Sequence, residues 1–260
     1  MADRLLGKTA LVTGGSRGIG RAIAEAFASE GCQLFLNARD PDRLADTAAE
    51  IVQQYGVHVD YAACDVTDGD GVRRMVAEAE ERTPIDILVN NAGIHIPSSF
   101  VDYSFDDFKA VIESNVYSVF HVTQAVLPAM MERKRGCVVN LASTAGKWGS
   151  RNQSAYNASK HAVVGITRCL GLEMAPHGVR VNAICPWIVN TDMATGFVER
   201  HANITGAAPE DLKAAMNATV PLNRWIEPEE VAGLAVYLAS DEASYINGQA
   251  WTVDGGYTMI

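Results

Sequence analysis

The chain contains 260 residues, of which 48% are hydrophobic, and it carries a formal net charge of −10 at neutral pH. This length and composition fit one large α/β domain, and no apolar run approaches the ~18 residues that a membrane span needs. The acidic balance disfavours a nucleic acid or an anionic membrane surface as the binding partner.

The amino terminus and the cysteines indicate a cytoplasmic protein. The first residues, MADRLLGKTALV, lack the long apolar segment and the small-residue cleavage site of a signal peptide. The five cysteines are odd in number and include no Cys-x-x-Cys pair, which indicates free thiols in a reducing compartment. The six histidines show no ligand spacing, so no metal centre is predicted.

Short aliphatic and β-branched runs alternate with longer helical patterns along the chain. The predicted strands are KTALVT (8–13), QLFLNA (33–38), VHVDYAACDV (57–66), DILVNN (86–91), GCVVNLAS (136–143), VRVNAICP (179–186) and AWTVDGG (250–256). Helices are predicted between them, including two long ones at about 105–131 and 152–175. The first helix is expected to bury Ile19, Ile23 and Phe27.

Such alternation is typical of a parallel sheet with helices on both faces. We predict an α/β fold with a Rossmann-like, doubly wound parallel sheet in three layers, forming a single domain over residues 1–260. One irregular segment, 192–220, is rich in Ala, Thr, Asn and Gly. Ligands of these folds bind at the carboxyl ends of the strands, so this segment is predicted to be a substrate lid.

A glycine-rich stretch, TGGSRGIG (13–20), follows the first strand and opens the first helix. Gly14, Gly18 and Gly20 allow a tight turn and a close backbone approach, and the amino terminus of the helix stabilises a pyrophosphate. The spacing is G-x-x-x-G-x-G rather than the better-known G-x-G-x-x-G. We interpret it as a dinucleotide-binding loop; the alternative is a turn needed only to pack strand against helix.

The end of the second strand bears on the choice of cofactor. NAD-binding folds usually place an Asp or Glu there for the ribose 2′-hydroxyl, but this chain has Ala38 followed by Arg39. Arg17 of the glycine loop is placed to reach the same region. Two arginines in an acidic protein predict NADP(H), bound through its 2′-phosphate. The alternative is NAD(H), with Asp40 binding the ribose and both arginines on the solvated surface.

Tyr156 and Lys160 stand four residues apart in SAYNASK (154–160) and therefore face the same way on the predicted helix. The apolar stripe that includes them continues through Val163 and Thr167, an unusual place for a phenol and an ammonium. Chance supplies a Tyr-x-x-x-Lys pair in roughly one such sequence in five, so the pair alone is a weak signal.

Six elements together give a much stronger signal. In chain order they are TGGSRGIG, NNAG (90–93), Asn115, NLAS ending at Ser143, YNASK, and PWIVNT (186–191). In these elements and their order the chain resembles the short-chain dehydrogenase/reductase family, in its single-domain branch of about 250 residues, over nearly its whole length. The resemblance implies an oxidoreductase that transfers a hydride between a nicotinamide cofactor and a ketone or secondary alcohol.

The resemblance also implies roles for four residues. Tyr156 matches the general acid/base, and Lys160 matches its partner, which also binds the nicotinamide ribose. Ser143 matches the donor to the substrate oxygen, and Asn115 the support of a proton relay. Hydride transfer to a ketone builds an alkoxide, which needs such a proton donor and a preorganised hydrogen bond. A phenol with a pKa of ~10 is too weak an acid to serve as a base near neutrality, and Lys160 is expected to lower that pKa.

The predicted cofactor site combines the glycine loop, the ends of several strands and the segment after the sixth strand. Its residues are Gly14, Ser16, Arg17, Gly18, Ile19, Gly20, Arg39, Asp65, Val66, Asn91, Tyr156, Lys160, Val189 and Thr191. By resemblance, Asp65 and Val66 border the adenine, and Thr191 hydrogen-bonds the carboxamide. The predicted substrate-binding residues are Ser143, Tyr156 and Trp187.

Trp187 departs from the family pattern, which commonly has glycine after the proline that is Pro186 here. The large ring either walls the substrate pocket or turns away and fills the core. The predicted lid carries Met193 and Phe197 and little clustered charge, which weakly favours a moderately apolar ketone. His95 follows NNAG and is in reach of a substrate, although a loop histidine is more often merely exposed.

Two other functions fit these residues less well. A non-catalytic NADP-binding sensor would be expected to lack the tyrosine or the lysine, and both are present. A sugar-nucleotide epimerase or dehydratase of the family's longer branch would need an additional substrate domain, for which 260 residues leave no room.

The two long helices carry apolar or small residues on more than one face, among them Val119, Phe120, Val126 and Val163. A helix that is apolar beyond one stripe is buried on more than one side. Together with the resemblance, this pattern predicts a homotetramer with two-fold interfaces between these helices.

Overall fold

The computed structural model describes residues 3–259, which build one seven-stranded sheet with every neighbouring pair of strands parallel. The strand order across the sheet is β3-β2-β1-β4-β5-β6-β7. The strands are β1 (Thr9–Thr13), β2 (Gln33–Ala38), β3 (Val59–Ala63), β4 (Ile87–Asn90), β5 (Gly136–Leu141), β6 (Val179–Pro186) and β7 (Ala250–Val253). All seven predicted strands are confirmed, with ends shifted by a few residues.

Helices cover both faces of this sheet, as predicted. They are α1 (Gly18–Ser29), α2 (Pro41–Tyr55), α3 (Gly69–Arg82), α4 (Phe105–Ile112), α5 (Ser118–Arg133), α6 (Ser154–Met174), α7 (Asp192–Thr205), α8 (Pro209–Ala218) and α9 (Pro228–Ala239). None of the helices within residues 3–259 is both long enough and apolar enough to cross a bilayer.

The sheet is buried on both faces because its central strands are apolar throughout. In β1, Ala10 and Val12 join a core cluster with α1, α2 and α9, whereas Leu11 joins a second cluster with α3 and α5. Successive side chains of a strand point to opposite faces, so a run of aliphatic residues supplies both cores. The result is the predicted three-layer, doubly wound domain.

The strand order reverses between β1 and β4, whose chain connections leave in opposite directions. In open α/β sheets such a switch point opens a crevice at the carboxyl ends of the strands. The glycine loop after β1 and the NNAG turn after β4 flank this crevice, which places the candidate site.

The predicted long helix at 105–131 is interrupted. A π turn, Glu113–Tyr117, separates α4 from α5, and it contains the buried Asn115. A single π turn holds one residue more than an α-helix needs, and such turns occur frequently at functional sites. The side-chain pattern of the segment stays helical through the turn, so the pattern alone does not reveal it.

The segment 192–220, expected to be irregular, is mostly helical. It forms α7 and α8, with Gly206 in a left-handed conformation ending α7 and Pro209 in the first turn of α8. Ala194 and Val198 of α7 pack on Trp225 in a small apolar cluster of their own. This packing stabilises helices whose composition alone favoured a loop.

The apolar residues from which the helix interfaces were predicted fall into two groups, one buried within the chain and one exposed. Val119, Val126 and Val163 are buried against the chain's own sheet and core, so they are not available to a second subunit. Phe120 is half-exposed, and Leu172 on α6 is largely exposed. Their contribution to an interface is taken up below.

Candidate active site

One cavity of about 860 Å³ lies over the carboxyl edge of the sheet at the β1/β4 crevice. One end is bordered by the glycine loop and the ends of β2 and β3, and the other by α6, the NNAG turn and α7. Most predicted site residues line it. They are Gly14, Ser16, Arg17, Gly18, Ile19, Arg39, Asp65, Val66, Asn91, Tyr156, Lys160 and Thr191.

The glycine loop is shaped for a close approach of backbone. Gly14 has a positive φ of 64°, and a Cβ on Gly20 would overlap the carbonyl oxygen of Gly14. The side-chain amide of Asn91 donates to that same oxygen at 3.1 Å, which ties the loop to the end of β4. No side chain caps the amino terminus of α1, so its first N–H groups are left for a ligand. These residues fit the pyrophosphate of a dinucleotide.

At the adenosine end, Ala38 leaves the cavity wall without a carboxylate at the predicted position, and Arg39 is exposed beside it. Asp40 caps α2, since its Oδ1 accepts from the backbone N–H of Arg43 at 3.1 Å. The guanidinium of Arg43 also lines this end, a cation that sequence reasoning missed. Because one oxygen of Asp40 is engaged in the cap, it is less available to a ribose than an unbonded carboxylate would be.

Arg17 lies across the cavity mouth from the beginning of α7. Its Nη1 is 3.6 Å from Oδ2 of Asp192, and both side chains are more than half exposed. An exposed ion pair of this length stabilises little. It nevertheless links the glycine loop to the first residue of the predicted lid.

Asp65 and Val66 follow β3 at the same end of the cavity. Val66 is buried in the core behind the wall, whereas Asp65 is exposed. The Oδ1 of Asp65 accepts from the backbone N–H of Thr67 at 2.9 Å and from its hydroxyl at 2.8 Å, which fixes the turn. Both residues line the cavity at this end, and their contact with an adenine stays a prediction.

Tyr156 and Lys160 meet at the opposite end. The ammonium of Lys160 lies 5.6 Å from the centre of the Tyr156 ring and donates to the carbonyl oxygen of Leu141 at 2.8 Å. Lys160 is 6% exposed, and Tyr156 is partly exposed where it borders the cavity. The helical spacing thus brings the pair together as predicted.

Burial dominates the pKa values of this pair. It raises the pKa of Tyr156 to about 12, although the nearby Ser143 hydroxyl acts to lower it. Burial likewise lowers the pKa of Lys160 to about 8. The lowering of the Tyr156 pKa that was expected from Lys160 is therefore not seen in this structure: burial dominates, and the one group that lowers this pKa is Ser143.

Ser143 ends the segment after β5 beside Tyr156 but does not border the cavity directly. Its Oγ donates to the carbonyl oxygen of Pro186 at 3.3 Å and accepts from the backbone N–H of Ala145 at 3.1 Å. The hydroxyl is also close enough to Tyr156 to affect its pKa. To bond a substrate oxygen, this hydroxyl would therefore have to give up its bond to the Pro186 carbonyl.

The side chain of Asn115 holds the NNAG turn in place. Its Oδ1 accepts from the backbone N–H of Ile94 at 2.8 Å, and its Nδ2 donates to the Ile94 carbonyl at 3.0 Å and to Ser159 Oγ at 3.0 Å. Both amide hydrogens are thus used inside the protein, one of them on the helix that carries Tyr156. The side chain itself does not line the cavity.

Some residues of the segment after β6 line the cavity, and others are packed in the core. Thr191 lines the cavity, and its hydroxyl donates to the carbonyl oxygen of Val189 at 3.2 Å; Val189 itself is buried. Trp187 is not among the residues that line the cavity. Its ring packs at 5.2 Å from that of Tyr257 and contacts the core, which favours the second of its two predicted orientations.

Sequence reasoning gave His95 too little weight and did not identify Arg200. His95 is 7% exposed, and its ring meets that of Tyr156 edge-on at 4.8 Å. Arg200 of α7 lines the cavity and donates to the His95 carbonyl at 3.2 Å. The burial of His95 depends on Phe197 and His201 of α7, which a local sequence pattern does not place.

Comparison with known proteins identifies relatives that match nearly the whole chain. A family model described as "Enoyl-(Acyl carrier protein) reductase", one of those for the short-chain dehydrogenase/reductases, matches residues 14–258. The chain is 44% identical to "Granaticin polyketide synthase putative ketoacyl reductase 1" of Streptomyces violaceoruber, over 95% of this chain and 92% of the relative.

Two solved structures are similar in fold and sequence. One is a variant of actinorhodin polyketide ketoreductase with NADPH, with a TM-score of 0.92 and 40% identity, covering 96% of this chain and 97% of that one. The other is levodione reductase, with a TM-score of 0.94 and 33% identity, covering 98% of this chain and 99% of that one. The glycine loop, the Tyr156–Lys160 pair and these matches lead to one conclusion: the chain belongs to the short-chain dehydrogenase/reductase family of oxidoreductases.

Proposed function

We propose that this protein is an NADP(H)-dependent carbonyl reductase or secondary-alcohol dehydrogenase. The observation that carries the proposal is that Tyr156 and Lys160 border the same cavity as the glycine loop. A dinucleotide held at the loop would extend along the cavity to this pair. A chain that only sensed the cofactor would have no need of a buried phenol and ammonium at its far end.

The proposed step is the reduction of a ketone. When bound, NADPH would supply the hydride that the carbonyl carbon receives. Tyr156 gives its proton to the carbonyl oxygen; because burial raises the pKa of Tyr156 to about 12, the phenol is protonated at neutral pH. Ser143 steadies the oxygen by a hydrogen bond. Lys160 orients the nicotinamide ribose, and Asn115 is a positioning residue that keeps the NNAG turn against α6.

NADP(H) is the proposed cofactor, with NAD(H) as the alternative. Support comes from Arg39 and Arg43 at the adenosine end and from the missing carboxylate at Ala38. The solved structure of the actinorhodin ketoreductase with NADPH, a protein 40% identical to this one, supports the same choice. In this reading Arg17 leaves Asp192 to reach the 2′-phosphate.

The proposed function is tested by mixing the purified protein with NADPH and a panel of neutral ketones, and with NADP⁺ and the corresponding alcohols. We expect NADPH oxidation, followed at its ultraviolet absorbance, with at least one ketone at a kcat/KM in the ordinary enzyme range, ~10⁴ M⁻¹s⁻¹ or above. Tight NADPH binding without turnover of any ketone, neutral or acidic, would instead favour the sensor.

The pKa of Lys160 predicts how activity depends on pH. Burial lowers this pKa to about 8, so the ammonium is charged below pH 8 and loses its proton above it. The value of kcat/KM for NADPH, which reports the free enzyme, should be level below pH 8 and fall about tenfold per unit above it. Tyr156 adds no step in this window, because its pKa is raised to about 12.

The matched control for this pH profile is Lys160→Arg, whose guanidinium stays charged throughout the range. Its rate should be lower than that of the unmodified protein, but its profile should show no fall near pH 8. A level profile from pH 7 to 10 in the unmodified protein would contradict the assignment of the fall to Lys160.

We also propose that α7 and α8 close over bound substrate as a lid. Ala194 and Val198 pack on Trp225, with Trp187 at the edge of this cluster, and α7 contacts the cavity wall at His95. The ion pair from α7 to the glycine loop, Arg17 to Asp192, is long and exposed. Closure would therefore bring α7 and α8 over the cavity with these contacts as the hinge side of the movement.

A homotetramer in the cytoplasm is the proposed state of the protein. The support is a set of exposed apolar side chains on α4, α5 and α6 that the chain itself does not cover. They are Phe105, Phe120 and Leu172. Light scattering at micromolar concentration should give about four times the chain mass of 27.9 kDa. A measured mass near that of one chain, 27.9 kDa, would contradict the homotetramer.

A further inference from the structure

The substrate end of the cavity contains cations but no carboxylate. Three carboxylates line the cavity within residues 3–259: Asp40 and Asp65 lie at the adenosine end, and Asp192 faces Arg17 at the mouth. The charged groups around Tyr156 are instead Lys160 and Arg200. Within residues 3–259, neither of these two cations has a carboxylate beside it in the lining of the cavity.

Arg200 is held at the wall by a single hydrogen bond. Its Nη2 donates to the backbone carbonyl of His95 at 3.2 Å, and no carboxylate of the described chain lies within 4 Å of its guanidinium. Arg200 is exposed, and a guanidinium has five N–H donors, so most of them are open to solvent or to a ligand in the cavity. One turn earlier on α7 stands Gly196, where a Cβ would lie only 3.2 Å from Nη1 of Arg200. The glycine thus leaves room for the guanidinium to lie along the helix.

His95 adds a second polar group to the same wall. Its Nε2 is 3.1 Å from Oε1 of Gln153, so Nε2 carries the proton and donates to that oxygen. Burial lowers the pKa of His95 to about 4, with His201 and Arg200 acting in the same direction, so the ring is neutral. Its Nδ1 is then a buried acceptor without a partner in residues 3–259. Buried polar atoms are seldom left in this state unless a ligand or water meets them.

We propose that the natural substrate carries a carboxylate a few bonds from its reacting carbonyl, and that Arg200 binds this carboxylate. This inference rests on the proposed function and names its substrate class, an oxo acid that is reduced to a hydroxy acid. A planar carboxylate matches the fork of a guanidinium and can accept two parallel hydrogen bonds. His95 lies between the two groups, because its backbone carbonyl accepts from Arg200 and its ring packs against that of Tyr156, and all three residues line the same cavity. The earlier expectation of a moderately apolar ketone is replaced by this one.

The reaction itself is the reduction already described. The carbonyl carbon gains a hydride, for which NADPH is oxidised to NADP⁺, and the carbonyl oxygen gains the proton of Tyr156. The C=O double bond becomes a C–O single bond, and new C–H and O–H bonds form. The carboxylate is unchanged and serves only to bind and orient the molecule, so removal of Arg200 should raise KM more than it lowers kcat.

The test uses three oxo acids of increasing length, each beside its methyl ester: pyruvate, acetoacetate and levulinate. With the full-length protein and NADPH, at least one acid should show a kcat/KM ten or more times that of its ester. In Arg200→Met this ratio should fall to about 1, with the ester little affected. Arg74→Met removes an exposed arginine of α3 outside the cavity and should keep the ratio.

A binding measurement separates failure of this proposal from failure of the proposed function. Calorimetric titration of each acid and ester into the protein saturated with NADP⁺ needs no turnover. The favoured acid should bind at least tenfold more tightly than its ester, and Arg200→Met should abolish this difference while NADP⁺ still binds. Equal affinity for acid and ester would overturn the carboxylate proposal even if neutral ketones are reduced. If none of the ketones, oxo acids or esters is turned over, the proposed function is overturned even if the acid binds.

Discussion

Replacing Tyr156 by phenylalanine should lower turnover at least ~100-fold, the usual scale of a lost general acid. The ring and its packing against His95 at 4.8 Å are kept in this variant, and only the proton donor is removed. NADPH binding should be unchanged, since the phenolic oxygen is a small part of a cofactor site that extends from the glycine loop. The measurement is kcat for the best ketone of the panel, with NADPH affinity from fluorescence titration.

Tyr245→Phe is the matched control for this substitution. Tyr245 is fully exposed and does not line the cavity, so removal of its hydroxyl should leave both turnover and cofactor affinity at the level of the unmodified protein. Near-normal turnover in Tyr156→Phe would show that another group donates the proton. A loss of NADPH binding in that variant would instead mark Tyr156 as a structural residue.

The second large effect is expected at the adenosine end. The unmodified protein should prefer NADPH to NADH by at least ~10-fold in kcat/KM. One charge-assisted hydrogen bond from Arg39 to the 2′-phosphate contributes about 1.5–3 kcal/mol before screening, and ~1.4 kcal/mol corresponds to tenfold. Ala38→Asp combined with Arg39→Ile adds a carboxylate for a ribose hydroxyl and removes the cation, so the preference should reverse.

Arg74→Ile provides the control, because it removes another exposed arginine away from the cavity and should leave the NADPH/NADH ratio unchanged. Salt offers a second check, since added salt screens the exposed arginine and should reduce the preference. A clear preference of the unmodified protein for NADH would leave Arg39 as a surface residue. Asp40 would then have to give up its cap on α2 to hold the ribose.

Much of the fold could be predicted because parallel strands buried on both faces are continuous aliphatic runs. The pattern at 33–38 matches β2 (Gln33–Ala38) residue for residue, and the run at 179–186 matches β6 (Val179–Pro186). The Tyr156–Lys160 pair was equally predictable, because i and i+4 spacing on a helix does not depend on the rest of the chain.

What the sequence pattern missed depends on contacts between distant segments. His95 is buried by α7, roughly a hundred residues further on, and it thereby becomes neutral and part of the cavity wall. The same applies to Arg200, which looks like an ordinary polar position of an exposed helix until its contact with His95 is seen. The helices of the insert had two local signals, Gly206 and Pro209, which were outweighed by a composition typical of loops.

The π turn at Glu113–Tyr117 makes this chain sensitive to a change of length at one place. Since the turn holds one residue beyond the need of an α-helix, deleting one residue there would let a regular helix run on without loss of backbone bonding. Because the π turn takes up its extra residue within one turn, the deletion would leave α4 and α5 nearly in phase, but each residue of the turn itself would move round the helix by up to ~100°. The side chain of Asn115 would lose its two hydrogen bonds to the backbone of Ile94. The neighbouring His95 in the cavity wall would then no longer be held in position by them. A substitution at the exposed Tyr117 does not change the length of the turn. Homologues should therefore vary in the residue at position 117 but share the same number of residues between α4 and α5.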